Sequence, residues 1–246
     1  MPDPEILALA ALITGASYCA FGLTGFGSTV LALPLLAHFV PLKFAVPLML
    51  LLDLTASLTL STRVRGALRK DEFGWVVPFM LAGMALGVTL LVRLPERPLL
   101  VTLGVFLLCY SAYCLAGRKT TRLARAWAPP IGLASGAFSA LFGTGGVLLV
   151  LYLAGRLDKP AELRATMAAG ILVSALTRLV LFGATGLLTQ EGLLVSALAL
   201  LPSVFVGLLL GQRLHDRVPP RLVLKAVYLL LLVNGVSLLA RYAISA

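Results

Sequence analysis

The chain carries 20 Lys and Arg and 10 Asp and Glu, yet only two charged residues lie well inside long apolar runs. They are Asp53, in LMLLLDLTASL, and Arg178, in SALTRLVLF. A charge at such a position is costly and marks a functional candidate by default. Arg178 can hold an anion through paired N–H···O bonds, or it can snorkel, since it lies about a turn from the end of its apolar segment. Asp53 can accept a proton, pair with Arg178, orient a hydroxyl such as Thr55 or Ser57, or make a structural interhelical hydrogen bond. These alternatives remain open. Ser17, Cys19, Ser57, Thr177 and Asn234 are further polar or sulfur side chains able to line a cavity, although a buried cysteine is more often a small packing residue. His38 and His215 sit near segment ends and are expected to face headgroups. The sequence therefore has no Ser–His pair, paired carboxylates or metal-ligand cluster in mid-segment, so we expect neither an enzyme nor a metal or cofactor site.

The second candidate chemistry belongs to the backbone. GLTGFGSTVLALPLL (Gly22–Leu36) and SALFGTGGVLLVLYL (Ser139–Leu153) place glycines in the middle of apolar sequence. Glycine weakens a helix and lets the backbone approach a ligand. Helices restarting after Gly27 and Gly145 would expose free N–H groups with partial positive charge, an anion site without a charged side chain. Gly25, Gly27, Ser28 and Thr29 in the first stretch, and Gly143, Thr144, Gly145 and Gly146 in the second, are the candidate ligands. The competing reading is that these glycines serve only close helix packing.

What positions these residues is a membrane. The 246 residues are 60% hydrophobic and 12% charged, with mean hydropathy +1.02. Apolar segments fall at about Ile6–Ala37, Phe44–Leu60, Phe73–Val92, Leu99–Ala116, Pro129–Ala154, Ala165–Phe182, Leu193–Gly211 and Leu222–Leu239. Their lengths predict an all-α polytopic membrane protein. The N-terminal stretch lacks a basic n-region and reads as the first helix rather than a removed signal. Three cysteines in apolar segments give no disulfide framework. The net charge of +10 points to basic loops at anionic headgroups rather than to nucleic acid. Trp75 and Trp127 fit an interfacial belt.

The halves of the chain resemble each other. A shift of 118 lays Gly25–Ser28 on Gly143–Gly146 and Ser17 on Ser135. A shift of 120 lays Gly66–Arg97 on Gly186–Arg217, pairing Gly87 with Gly207, Arg93 with Arg213 and Arg97 with Arg217. This predicts one membrane domain over 1–246, with repeat one at 5–117, a basic linker at 118–128 and repeat two at 129–242. The first segment, 32 residues or about 48 Å as one helix, exceeds a hydrocarbon core of about 30 Å. If all eight segments cross, Lys and Arg divide almost evenly between the two sides. If the first and fifth segments fold back as hairpins, the loops at 61–72, 117–127, 155–164 and 213–225 share one side and hold 15 against 4. The positive-inside rule favours the hairpins. Each half then crosses three times, so the repeats are inverted, both termini are extracytoplasmic and the basic loops are cytoplasmic. Inverted repeats with broken helices are a transporter architecture with a midplane site where the repeats meet.

The two glycine stretches, the chain length, the two groups of four apolar segments and the basic central loop resemble the TauE/SafE sulfite exporter family. Two positions depart from its pattern: Ser28 stands where a further glycine is usual, and Tyr152 stands where the first repeat has Pro34. The resemblance implies export or uptake of a small sulfur-containing anion, such as sulfite, sulfoacetate or thiosulfate, across the inner membrane. Composition by itself supports only a small anion, with a proton or another ion as coupling partner. The alternatives are a passive anion channel or a carrier of an unrelated small solute.

Overall fold

A computed structural model describes residues 4–24, 27–61, 68–116, 122–214 and 220–244. Gly25, His215 and parts of the basic loops lie outside the described residues. All regular structure among the described residues is helical. The elements are α1 (Pro4–Thr24), α2 (Ser28–Leu36), α3 (Leu42–Ser61), α4 (Lys70–Arg93), α5 (Glu96–Leu115), α6 (Ala128–Phe142), α7 (Gly145–Ala154), α8 (Pro160–Ala184), α9 (Leu193–Leu214) and α10 (Pro220–Ile244). A 3₁₀ turn, Arg125–Trp127, leads into α6.

Each apolar segment of the sequence falls on helix, and the first and fifth are each split in two. Glu5–Leu23, Lys70–Arg93, Glu96–Leu115, Ala161–Ala184 and Leu193–Leu214 are long and apolar enough to cross a bilayer. The molecule is a multi-pass helical membrane protein. Four helices carry an internal proline, at Pro34, Pro47, Pro78 and Pro202. Membrane helices tolerate such breaks where neighbouring groups satisfy the freed carbonyls.

Packing divides the chain into two compact units, and each draws helices from both halves of the sequence. One contains residues 1–52, 94–118 and 189–246, the other 53–93 and 119–188. In the first unit, α1 packs along α9 and α5 along α10, with α2 against α1 and α10. A Cβ at Gly207 or Gly211 of α9 would be driven into the Gly15 and Cys19 carbonyls of α1. The Thr14 and Ser203 hydroxyls bridge the same pair at 2.9 Å. Glu96 Oε1 accepts the Leu42 N–H at 2.6 Å and so covers the start of α3.

In the second unit, α4 packs along α6, and α7 and α8 complete the group. Gly83 and Gly87 lie against the Leu133 and Ala137 carbonyls, and Gly136 reciprocates against the Met80 carbonyl. The backbones touch because lipid offers no hydrophobic gain for helix association, so contact must come from close van der Waals packing of small residues.

Candidate substrate site

The second helix break is built by two adjacent residues. Gly143 adopts φ 68, left-handed backbone that glycine accepts without strain. Its N–H donates to the Ser139 carbonyl at 2.9 Å and closes α6. Thr144 follows as the N-cap of α7, and its side chain makes no capping bond. The chain doubles back there: Gly145 lies against the Ser135 carbonyl and Ser139, and Ser135 Oγ donates to the Gly145 carbonyl at 2.8 Å. Gly146, by contrast, faces open space. The Thr144 side chain is only 1% exposed, and its hydroxyl has no hydrogen-bond partner among the described residues. Buried hydroxyls are normally satisfied, so an orphan at an uncapped helix start calls for an explanation.

Three side chains from α6 and α8 surround this turn. The Ser139 and Ser174 hydroxyls bond each other at 2.5 Å. Arg178 Nη1 donates to the Ser139 carbonyl at 3.2 Å. Arg178 is 5% exposed, so its head group is inside the protein rather than snorkelling to water. Helix α8 continues to Ala184, which puts Arg178 deeper in its helix than the apolar run alone suggested. A guanidinium, two serine hydroxyls, an orphan threonine hydroxyl and a helix N-terminus thus share one neighbourhood, and all favour negative charge. Thr177 is half-buried beside Arg178, and Asp53 is half-buried in mid-α3.

The first break has the same outline with different chemistry. Helix α1 ends at Thr24, Gly27 adopts φ 96, and α2 starts at Ser28. A Cβ on Gly27 would meet nothing within 4 Å. Ser17, Ser28 and Thr29 are buried and Cys19 is half-buried. Asn234 is buried on α10, where its Nδ2 donates to the Leu230 carbonyl of its own helix at 2.8 Å. Gly25 and the side chain of Ser57 lie outside the described residues. His38 is tied to the protein: its Nδ1 bonds the Pro34 carbonyl at 2.8 Å and its Nε2 the Ser237 hydroxyl at 3.2 Å. The imidazole covers a carbonyl that the end of a short helix leaves unpaired.

With this geometry in hand, comparison with known proteins is decisive for the family. The profile of the Sulfite exporter TauE/SafE family matches residues 7–238. The chain belongs to the TauE/SafE sulfite exporter family. This family member is also similar to the "Probable inner membrane transporter protein TsaS" of Comamonas testosteroni. The two are 31% identical over 194 residues, covering 78% of this chain and 81% of the relative. No solved structure matches it.

Sequence reasoning missed one cluster in this TauE/SafE chain. Glu72, assigned to a loop by its charge, lies in the first turn of α4 and is 6% exposed. Tyr152 Oη donates to Glu72 Oε2 at 2.9 Å. Arg156 donates to Glu72 Oε1 through Nη2 at 2.5 Å and Nε at 3.2 Å, and its Nη1 donates to the Leu123 carbonyl at 3.3 Å. The hydrogen bond to Glu72 holds the Arg156 guanidinium above its ordinary pKa, with burial opposing. The available signal was Tyr152 itself, a polar side chain in an otherwise aliphatic run that departs from the family pattern.

Proposed function

We propose that the protein is a secondary transporter of a small sulfur-containing anion, working by alternating access, with the second helix break as its anion subsite. The observation that carries this is the Thr144 hydroxyl: buried, unpartnered among the described residues, and set at the uncapped start of α7 beside Arg178, Ser139 and Ser174. In this reading Arg178 supplies charge, the Thr144 hydroxyl and the first amides of α7 supply hydrogen bonds to oxygen, and Gly146 leaves room for the ligand. The first break, with Gly27, Ser28 and Thr29, is the neutral equivalent. Asp53 is the candidate coupling group, and Ser17, Cys19, Thr177 and Asn234 remain candidate lining residues.

Packing supports the duplication, and the charge split supports its inversion. Residues 15 and 19 of α1 meet Gly207 and Gly211 of α9, while residues 133 and 137 of α6 meet Gly83 and Gly87 of α4. The first-helix positions differ by 118 and the glycine positions by 124. The prolines of α4 and α9, Pro78 and Pro202, fall in the same register of 124. This pairs Gly83 with Gly207 and Gly87 with Gly211, four residues from the alignment at 120.

The test is a thermal-shift screen of purified protein with sulfite, thiosulfate, sulfoacetate and taurine, followed by counterflow in proteoliposomes. A shift with an anion and stimulated exchange are the expected results. Uptake without counterflow stimulation would mean a channel, and no anion response would overturn the reading.

A further inference from the structure

Helix α7 is held at both ends. At its start Gly145 is seated on α6, within the proposed anion subsite. At its other end, about 15 Å away for ten residues, lie Tyr152 and Arg156. Both donate to Glu72 of α4, and together they engage both carboxylate oxygens. The Leu123 carbonyl accepts from Arg156, and the Leu123 N–H donates to the Gly155 carbonyl at 3.1 Å, so the linker closes over the same end of α7.

Glu72 is buried and Arg156 partly exposed; such an ion pair adds little stability, and the best-attested use of a buried charge pair is to define one state against another. A water-sized apolar crevice of about 10 Å³ lies between α4, α7 and α8, lined by Phe73, Val76, Met80, Leu149, Leu153 and Gly170, and beside it the polar contacts at Glu72 tie this end of α7 to α4.

The other half of the chain lacks this device. By the registers of 118 and 124, Tyr152, Arg156 and Glu72 correspond to Pro34, His38 and Ser196. His38 bonds the Pro34 carbonyl and Ser237. The Ser196 hydroxyl is buried and has no partner among the described residues.

We propose that Glu72, Tyr152 and Arg156 form a latch that fixes the far end of α7 against α4, and that the latch must open in each transport cycle. They are positioning residues: they act on the anion through α7. The proposal rests on the second break being the anion subsite.

The test replaces Glu72 and Arg156 by cysteine in a chain whose Cys19, Cys109 and Cys114 are alanine. The new pair is bridged with a bifunctional methanethiosulfonate, and [35S]sulfite counterflow is measured. Bridging should lower counterflow by about tenfold or more, as gating of turnover requires, and reductant should restore it. The bridged protein should keep its sulfite thermal shift. Counterflow unaffected by the bridge would overturn the latch. Should the paired cysteine variant not fold, Tyr152→Phe decides: it removes one donor and keeps the ring. A latch predicts faster sulfite counterflow at saturation, whereas equal or slower counterflow would overturn it. Loss of the wild-type sulfite thermal shift counts against the anion subsite itself, which separates the two failures.

Discussion

At the residue scale, Thr144 and Arg178 differ in what their removal costs the fold. The Thr144 hydroxyl has no partner among the described residues, so Thr144→Val breaks no hydrogen bond of that hydroxyl there and should leave the melting temperature nearly unchanged. A hydrogen bond to a charged ligand is worth about 1.5–3 kcal/mol, so anion affinity should fall roughly 10- to 100-fold. Isothermal titration of both proteins checks this, and equal affinities would leave the orphan hydroxyl without a ligand role. Arg178→Ala should abolish anion binding while the protein still inserts. The Ser139 carbonyl that Arg178 contacts also accepts the Gly143 N–H, so it is not stranded by the change. Retained affinity would assign Arg178 to tying α8 to the end of α6, a favourable place for a cation.

At the element scale, the glycines of the breaks separate into three kinds, and the sequence alone treated them as one. Gly145 is locked by the Ser135 backbone, Gly27 needs left-handed backbone but has open space, and Gly146 has space and helical backbone. Alanine at 145 should therefore destabilise most, by about 1–3 kcal/mol as overpacking does. Alanine at 27 should cost about 1–2 kcal/mol from its backbone, and alanine at 146 should be nearly neutral. Melting curves of the three variants in one detergent give the order, and equal losses at 145 and 146 would contradict the packing.

Helix positions were legible because apolar length is a strong signal, and the breaks because glycine pairs interrupted it. The cluster of Glu72, Tyr152 and Arg156 was not legible. Its members lie 80 and 84 residues apart in the chain, and charge near a segment end reads as solvated loop. The register proposed between α4 and α9 lies one helical turn from the alignment at 120, because Leu-rich helices match at several offsets, and the carbonyls that the glycines touch, with Pro78 and Pro202, favour 124.

At the scale of the whole molecule, the charge split predicts orientation. A cysteine at Ala124, in a cysteine-free background, should react with an impermeant maleimide only from the cytoplasm, and one at Glu191 only from outside. The reverse pattern would invert the topology.

The pairing of α1 with α9 also sets a schedule. Gly15 waits for Gly207, 192 residues later, whereas Gly83 meets Leu133 after only 50. At about 5–20 residues per second of synthesis, α1 stands without its partner for roughly 10–40 s. The unit around α4 and α6 can close while the ribosome is still at work. The earliest helix is thus among the last to find its place, and until then it depends on lipid or the insertion machinery for company. A chain truncated after Leu188 should already protect a cysteine at position 84, buried in that unit, from small thiol reagents and leave one at position 15 open. Equal protection of both would mean that the two units form together.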